Sequence, residues 1–343
     1  MRVDDLDYDL PEELIAQRPA ERRDGSRLLV VDGGTVAVDH RAIRELPELL
    51  PPALWVVNDT RVLPARLHGH KPTGGAVELL LVEPTGDGSW RCMGRSSKPL
   101  RPGLRVTIGE GFAAEIESKL DGGMLAVRFE HEGELEDALE RHGEMPLPPY
   151  VQREAEESDR ERYQTIFADR PGAIAAPTAG LHFSEALVGA LEQSGHRFAR
   201  VTLHVGPGTF RPVKVDDLAE HPMHEERYEV PEAAVEAIER AREEGRSVVA
   251  VGTTVARTLE SAATENGRVA AGAGRTDLFI KPPYEARVVD HLLTNFHLPR
   301  STLLALVMAL GGEAPLRHAY AEAVRARYRF FSYGDAMLIR GCR

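Results

Sequence analysis

Only two cysteines, Cys92 and Cys342, occur in 343 residues, which excludes a disulfide framework and a thiolate metal site. Long apolar runs are also missing. The longest, Leu303 to Leu310, is far short of the ~20 residues that span a bilayer. The first residues, with Asp4, Asp5, Asp7 and Asp9, lack the basic and apolar regions of a signal peptide. A cytoplasmic protein with no membrane segment is therefore expected. Lysine is scarce, 5 against 37 arginines, a ratio that codon bias explains without phosphate recognition. No internal repeat or low-complexity tract is evident. What remains is an ordinary globular composition, 42% hydrophobic and 28% charged, with length enough for two domains.

A formal charge of −12 argues at first against a nucleic-acid partner. Its distribution changes that reading. Residues 110–161 hold 16 acidic and 5 basic side chains, and 216–246 hold 11 and 4, leaving the rest at +6. Two stretches are basic without any carboxylate: 89–109, with Arg91, Arg95, Lys98, Arg101 and Arg105, and 194–215, with Arg197, Arg200, Arg211 and Lys214. The C-terminal 316–343 adds six arginines against Glu322 and Asp335. Local patches of this kind can follow a phosphate backbone, and they predict a shallow salt dependence of binding. The acidic 130–144 and 154–161 read as solvated faces.

Texture divides the chain. Between residues 65 and 149, short strand-like runs such as Ala76–Val82, Trp90–Met93, Leu104–Ile108 and Met124–Phe129 alternate with Gly-, Asp- and Pro-rich turns. That pattern predicts a small antiparallel barrel or sandwich. Residues 1–64 and 150–343 instead alternate strands (Leu54–Val57, Arg200–Leu203, Ser247–Val251, Asp277–Ile280) with helices (Ser184–Ser194, Pro231–Glu244, Thr302–Leu310, Pro315–Tyr328). The expectation is an α/β domain with a mainly parallel sheet, interrupted by an inserted antiparallel β-barrel domain.

Four segments carry more polar and glycine content than packing requires. Ala175 to Phe183 leads through small residues to His182. Thr202 to Phe210 is a strand running into His204, Gly206 and Gly208, where backbone approaches something closely. His221 to Glu226 groups His221, His224 and Glu226, which are proton-transfer candidates and alternatively metal ligands. Val251-Gly252-Thr253-Thr254 opens a helix whose free N–H groups suit a carboxylate or phosphate. Each also has a plain reading as loop geometry, and Tyr320, Tyr328, Phe330, Phe331 and Tyr333 read as core or as base-stacking platforms. A Rossmann-like methyltransferase is a weaker alternative, because Pro212 stands where the helix after the glycines should begin.

Taken together, these segments and others identify a resemblance. The runs are Asp7 to Gln17, Arg23 to Leu29, Asn58 to Val62, Leu147 to Tyr150, Tyr163 to Thr165, Ala175 to Phe183, Thr202 to Phe210, His221 to Glu226, Val251 to Glu260, Thr276 to Tyr284, Thr294 to Pro299 and Arg329 to Ala336. In this order they resemble the S-adenosylmethionine:tRNA ribosyltransferase-isomerase family of the queuosine pathway. Pro207, Glu225 and Ala286 depart from its usual pattern.

The resemblance implies an enzyme that uses S-adenosylmethionine as ribosyl donor and co-substrate, with no prosthetic group and no metal. Its acceptor is 7-aminomethyl-7-deazaguanine at the wobble position of tRNAs with GUN anticodons. The ribosyl group is transferred and isomerised, giving epoxyqueuosine-tRNA with release of adenine and methionine. A monomer is implied, and the fold is an α/β domain with an inserted barrel. Such chemistry needs a base beside the sulfonium carbon, an acid for departing adenine, and exclusion of water. His182, His204, His224 and Glu226 are the expected catalytic residues, and Gly206, Gly208, Thr253 and Thr254 the expected donor-binding ones. A non-catalytic tRNA-binding module would bind tRNA without consuming S-adenosylmethionine, and a methyltransferase would release S-adenosylhomocysteine.

Overall fold

The computed structural model describes residues 1–206 and 215–343. Gly208 and Pro207 lie outside the described residues. The chain opens with β1 (Arg27–Asp32), β2 (Val38–Ala42), the single turn α1 (Leu46–Leu49), β3 (Leu54–Asn58) and β4 (Thr60–Val62). Six strands follow: β5 (Arg66–His70), β6 (Ala76–Pro84), β7 (Ser89–Ser96), β8 (Arg105–Gly109), β9 (Phe112–Lys119) and β10 (Leu125–Glu130). Then come α2 (Leu135–His142), α3 (Glu157–Arg162), β11 (Arg170–Ala173), α4 (Glu185–Gln193), β12 (Arg197–Leu203) and β13 (Glu226–Val230). The chain continues with α5 (Glu232–Glu243), β14 (Val248–Val251), α6 (Thr253–Ser261), β15 (Gly272–Thr276), β16 (His291–Asn295), α7 (Thr302–Gly311), α8 (Glu313–Arg325) and β17 (Ala336–Arg340).

Among the described residues, nine strands form one sheet in the order β15-β13-β12-β3-β14-β16-β17-β1-β2. Its centre, β12-β3-β14-β16, is parallel throughout, so these four strands end along one edge. The expected parallel sheet is thus found where strands alternate with helices. On the flanks, β13, β15 and β2 pair antiparallel, and the parallel pair β17–β1 runs against β16. Both faces are covered, which is why β3 and β14 are apolar without alternation. Leu29, Val31, Leu54 and Val56 pack toward α5 to α8, while Leu28, Val30, Trp55 and Val57 pack toward α4. Helix α4 begins where the Ser184 hydroxyl accepts from the Leu187 N–H at 3.1 Å. It stops at Gly195, whose φ of +85° few other residues tolerate.

Strands β5 to β10 close into an antiparallel barrel, β10-β7-β6-β5-β8-β9. It has its own core of Leu67, Val77, Leu79, Leu81, Val106, Ile116 and Val127, covered at one end by Ala138 and Leu139 of α2. Gly69 is needed at the closure between β5 and β8: a Cβ there would meet the Thr107 carbonyl oxygen at 2.7 Å.

Two expectations are corrected. Residues 277–280 are not a strand; pairing stops at Thr276. The Thr276 hydroxyl accepts from the Leu278 N–H, and the Leu278 carbonyl accepts from Arg257, so these backbone groups are already taken. The strand lies just before, in glycine-rich 272–276, where the chain pairs with β13; glycine is needed at 274 because the Tyr228 ring leaves no room for a Cβ. Asp159, within an acidic tract expected to be solvated, is buried. Burial alone would raise its pKa, but bonds from Arg153, the Glu156 N–H and the Tyr333 hydroxyl hold it below the usual range.

Candidate functional site

The four central strands end in polar turns at the carboxyl edge of the sheet, where ligands bind in open α/β folds. β12 runs into His204, β3 into Asp59 and Thr60, β14 into Gly252-Thr253-Thr254, and β16 into Phe296 and His297. Asn58 ties three of these ends together. Its Nδ2 donates to the Leu203 carbonyl at 2.9 Å and to Thr254 Oγ1 at 3.4 Å. Its Oδ1 accepts from the Leu203 and Thr60 N–H groups, both at 3.1 Å. Thr60 Oγ1 in turn lies 2.8 Å from His204 Nδ1, so the histidine is oriented by the end of a neighbouring strand.

Adjoining cavities open here. A cleft of about 220 Å³ separates the barrel from the sheet edge and is lined by His204, Gly206, His224, Glu226 and Arg227 on the sheet side and by Glu83 and Arg91 on the barrel side. A second cavity, of about 80 Å³, sits over the strand ends and takes Gly252, Thr253, Thr254, Thr294, Asn295 and the stacked pair Tyr150–Phe331. His204 and Gly206 line the first while Val205 lines the second, so residues 204–206 form the wall between them. Gly252, at φ +96°, turns the chain from β14 directly into α6, which aims the first N–H groups of that helix toward the second cavity. Phe331 holds a φ of +70°, a conformation of about 1–3 kcal/mol strain that clusters at functional sites.

Of the expected residues, His204, Gly206, His224 and Glu226 therefore share the cleft, and Thr253 and Thr254 line the neighbouring cavity. His182 reaches neither. It is buried in the 3-10 turn 178–182, and its Nε2 accepts from Asn295 Nδ2 at 3.1 Å. Asn295 Nδ2 also donates to the Phe331 carbonyl at 3.0 Å, which makes Nε2 the acceptor and leaves the ring proton on Nδ1. The carboxylate of Glu226 is fully engaged. Oε1 accepts from the Gly206 N–H at 3.0 Å, and Oε2 pairs with Nη1 of buried Arg257. Among the described residues, no three His, Cys, Asp or Glu side chains converge as metal ligands, and His221 packs edge-on to Phe279 instead. Asn58, Thr60, Arg257 and Asn295 escaped the site reading; the available signal was Asn58-Asp59-Thr60 directly after an apolar strand.

Burial lowers the pKa of His204 to about 4, with Arg227 and Arg170 adding to the effect. It lowers His182 to about 4 and His297 to about 3. His204 is thus neutral near neutral pH and able to accept a proton. The unfolded chain takes up protons near the ordinary value of 6.5, which the folded one refuses, so stability is lost as pH falls from about 6.5 toward 4. A lower urea midpoint at pH about 5 than at about 7 is expected; an equal or higher one would contradict the burial of these rings.

The chain is a mixed α/β body with an inserted closed barrel and with cavities at the carboxyl edge of its parallel strands. The profile of the queuosine biosynthesis protein family matches residues 3–339, and the chain belongs to that family. It is similar to the S-adenosylmethionine:tRNA ribosyltransferase-isomerases of Anaeromyxobacter sp. strain Fw109-5, 56% identical over 99% of both chains, and of Trichlorobacter lovleyi, 52% identical over 99% of this chain and 100% of that one. The crystal structure of S-adenosylmethionine tRNA ribosyltransferase from Thermotoga maritima shares 38% identity and a TM-score of 0.56, covering 98% of this chain and 99% of that one. Among the described residues, no helix is long and apolar enough to cross a membrane.

Proposed function

We propose that the protein transfers and isomerises the ribosyl moiety of S-adenosylmethionine onto 7-aminomethyl-7-deazaguanine at the wobble position of tRNAs with GUN anticodons. Epoxyqueuosine-tRNA is formed, and adenine and methionine are released. The observation that carries this reading is the pair of cavities divided by residues 204–206, in a chain of the queuosine biosynthesis family. Residues 1–64 and 150–343 form the catalytic domain in this reading, and 65–149 the inserted barrel domain. The protein acts in the cytoplasm as a monomer.

Thr253 and Thr254 hold the donor through backbone N–H and hydroxyl groups, and Gly206 lets it approach the wall between the cavities; Gly208, expected to share that role, lies outside the described residues. The sulfonium acidifies the adjacent C–H, and neutral His204, oriented by Thr60, is placed to take that proton. His224 faces the same cleft and is the candidate to protonate departing adenine. With both oxygens bound, Glu226 fixes Gly206 rather than moving a proton, and His182 fixes Asn295; both are positioning residues. The acceptor base leaves its stack to reach the cleft, as single-stranded loop bases do. Mass analysis of nucleosides from tRNA carrying the aminomethyl base, after incubation with S-adenosylmethionine, is expected to show epoxyqueuosine. A methylated or unchanged base would overturn the reading.

A further inference from the structure

Three arginines from three strands meet one carboxylate where the barrel faces the sheet edge. Glu83 on β6 lies 3.3 Å from Arg91 on β7, 3.5 Å from Arg275 on β15 and 4.0 Å from Arg227 on β13. Arg227 and Arg275 are directly opposite each other in the β13–β15 ladder, a like-charge pairing that destabilises a sheet unless an anion sits against it. With Glu225, Glu83 supplies two carboxylates for three guanidiniums. Arg275 also reaches Glu225 at 2.8 Å, whereas among the described residues the ion pairs of Arg91 and Arg227 are with Glu83 alone.

As a latch between barrel and sheet the cluster is poor. The three arginine side chains are 36–46% exposed, and ion pairs that open to solvent add little stability. As an anion site it is well formed. The guanidiniums line the same cleft as His204 and Gly206, and their forked N–H groups match phosphate oxygens in geometry and charge.

We propose that Arg91, Arg227 and Arg275 form a subsite for a backbone phosphate of the RNA substrate, with Glu83 as its placeholder. This rests on the reading of the protein as a tRNA-modifying enzyme. Without RNA, Glu83 keeps the guanidiniums gathered; with RNA, the phosphate takes them over and the carboxylate moves aside. Glu83 therefore weakens every RNA encounter, so that only RNA making further contacts in the cleft stays bound.

Binding of a fluorescent anticodon stem-loop, measured by anisotropy over a salt series, tests this. Arg275→Gln and Arg91→Gln are each expected to weaken binding about 5- to 10-fold and to reduce the log–log salt slope by about 1. Affinity for S-adenosylmethionine should stay unchanged. Glu83→Gln is expected to tighten RNA binding several-fold, the opposite of what loss of a latch would do. Inorganic phosphate at about 10 mM, against chloride of equal ionic strength, is expected to displace no RNA. Displacement that disappears in Arg275→Gln would assign the subsite to free phosphate and overturn the proposal. So would wild-type salt slopes in the arginine variants, or weaker binding by Glu83→Gln. If those slopes are unchanged while the wild type still modifies tRNA, this inference alone fails; if the wild type binds no RNA, the functional reading fails with it.

Discussion

Arg257→Met is expected to cost about 3–5 kcal/mol of stability, because it leaves Glu226 as an uncompensated charge in a buried site. Both residues are about nine-tenths or more buried. Arg257 additionally donates to the carbonyls of Leu278 and Thr276 at 3.2 and 3.4 Å. One guanidinium therefore joins α6, the start of β13 and the end of β15. The double variant Arg257→Met with Glu226→Gln removes the stranded charge and should recover most of the loss. Urea unfolding of the three proteins decides the matter. A loss under about 1 kcal/mol for the single variant would mean that water reaches the pair, and the account of Glu226 as a buried positioning residue would not survive it.

His204→Ala should lower kcat by about 100- to 10,000-fold, the usual weight of a general base, with little change in affinity for S-adenosylmethionine. Thr60→Val removes the hydroxyl 2.8 Å from Nδ1 and nearly preserves shape. Its expected effect is smaller, about tenfold in kcat, in line with one lost hydrogen bond. Because burial places the pKa of His204 at about 4, the acid limb of kcat/KM should fall well below neutrality and be absent from whatever activity His204→Ala retains. Single-turnover rates over a pH series supply the test. Full activity in His204→Ala would transfer the base role elsewhere in the cleft and contradict the assignment.

How much of this could be read from the chain follows from what each residue does in the fold. The continuous apolar runs of β3 and β14 announce strands covered on both faces, and the glycine and proline turns between residues 73 and 123 announce the barrel. Strands β5 and β9 gave weaker signals. Arg66-Leu67-His68-Gly69-His70 turns one large apolar side chain inward, and its glycine serves barrel closure. Glycine-rich β15 is a strand through its pairing with β13, a neighbour distant in sequence whose Tyr228 requires the glycine at 274. In the site, His204, Gly206, His224 and Glu226 stood out as a strand-end glycine beside grouped polar side chains, a pattern that loop geometry also produces, and the fold brings them to one cleft. Arg257 was not, since within Val255 to Ser261 it reads as an ordinary helix surface residue; its burial appears only when β13 and β15 fold against α6. His182 likewise stands beside promising small residues, yet it bonds Asn295 and lines neither of the two cavities at the strand ends.

The central claim is that the donor gives up its ribosyl group and not its methyl group. Its most direct test is chromatography of the small molecules released when the protein, S-adenosylmethionine and tRNA carrying 7-aminomethyl-7-deazaguanine are incubated together. Free adenine and methionine in equal amounts, matching the tRNA modified, are predicted. Release of S-adenosylhomocysteine, or tRNA binding with no adenine at all, would contradict it.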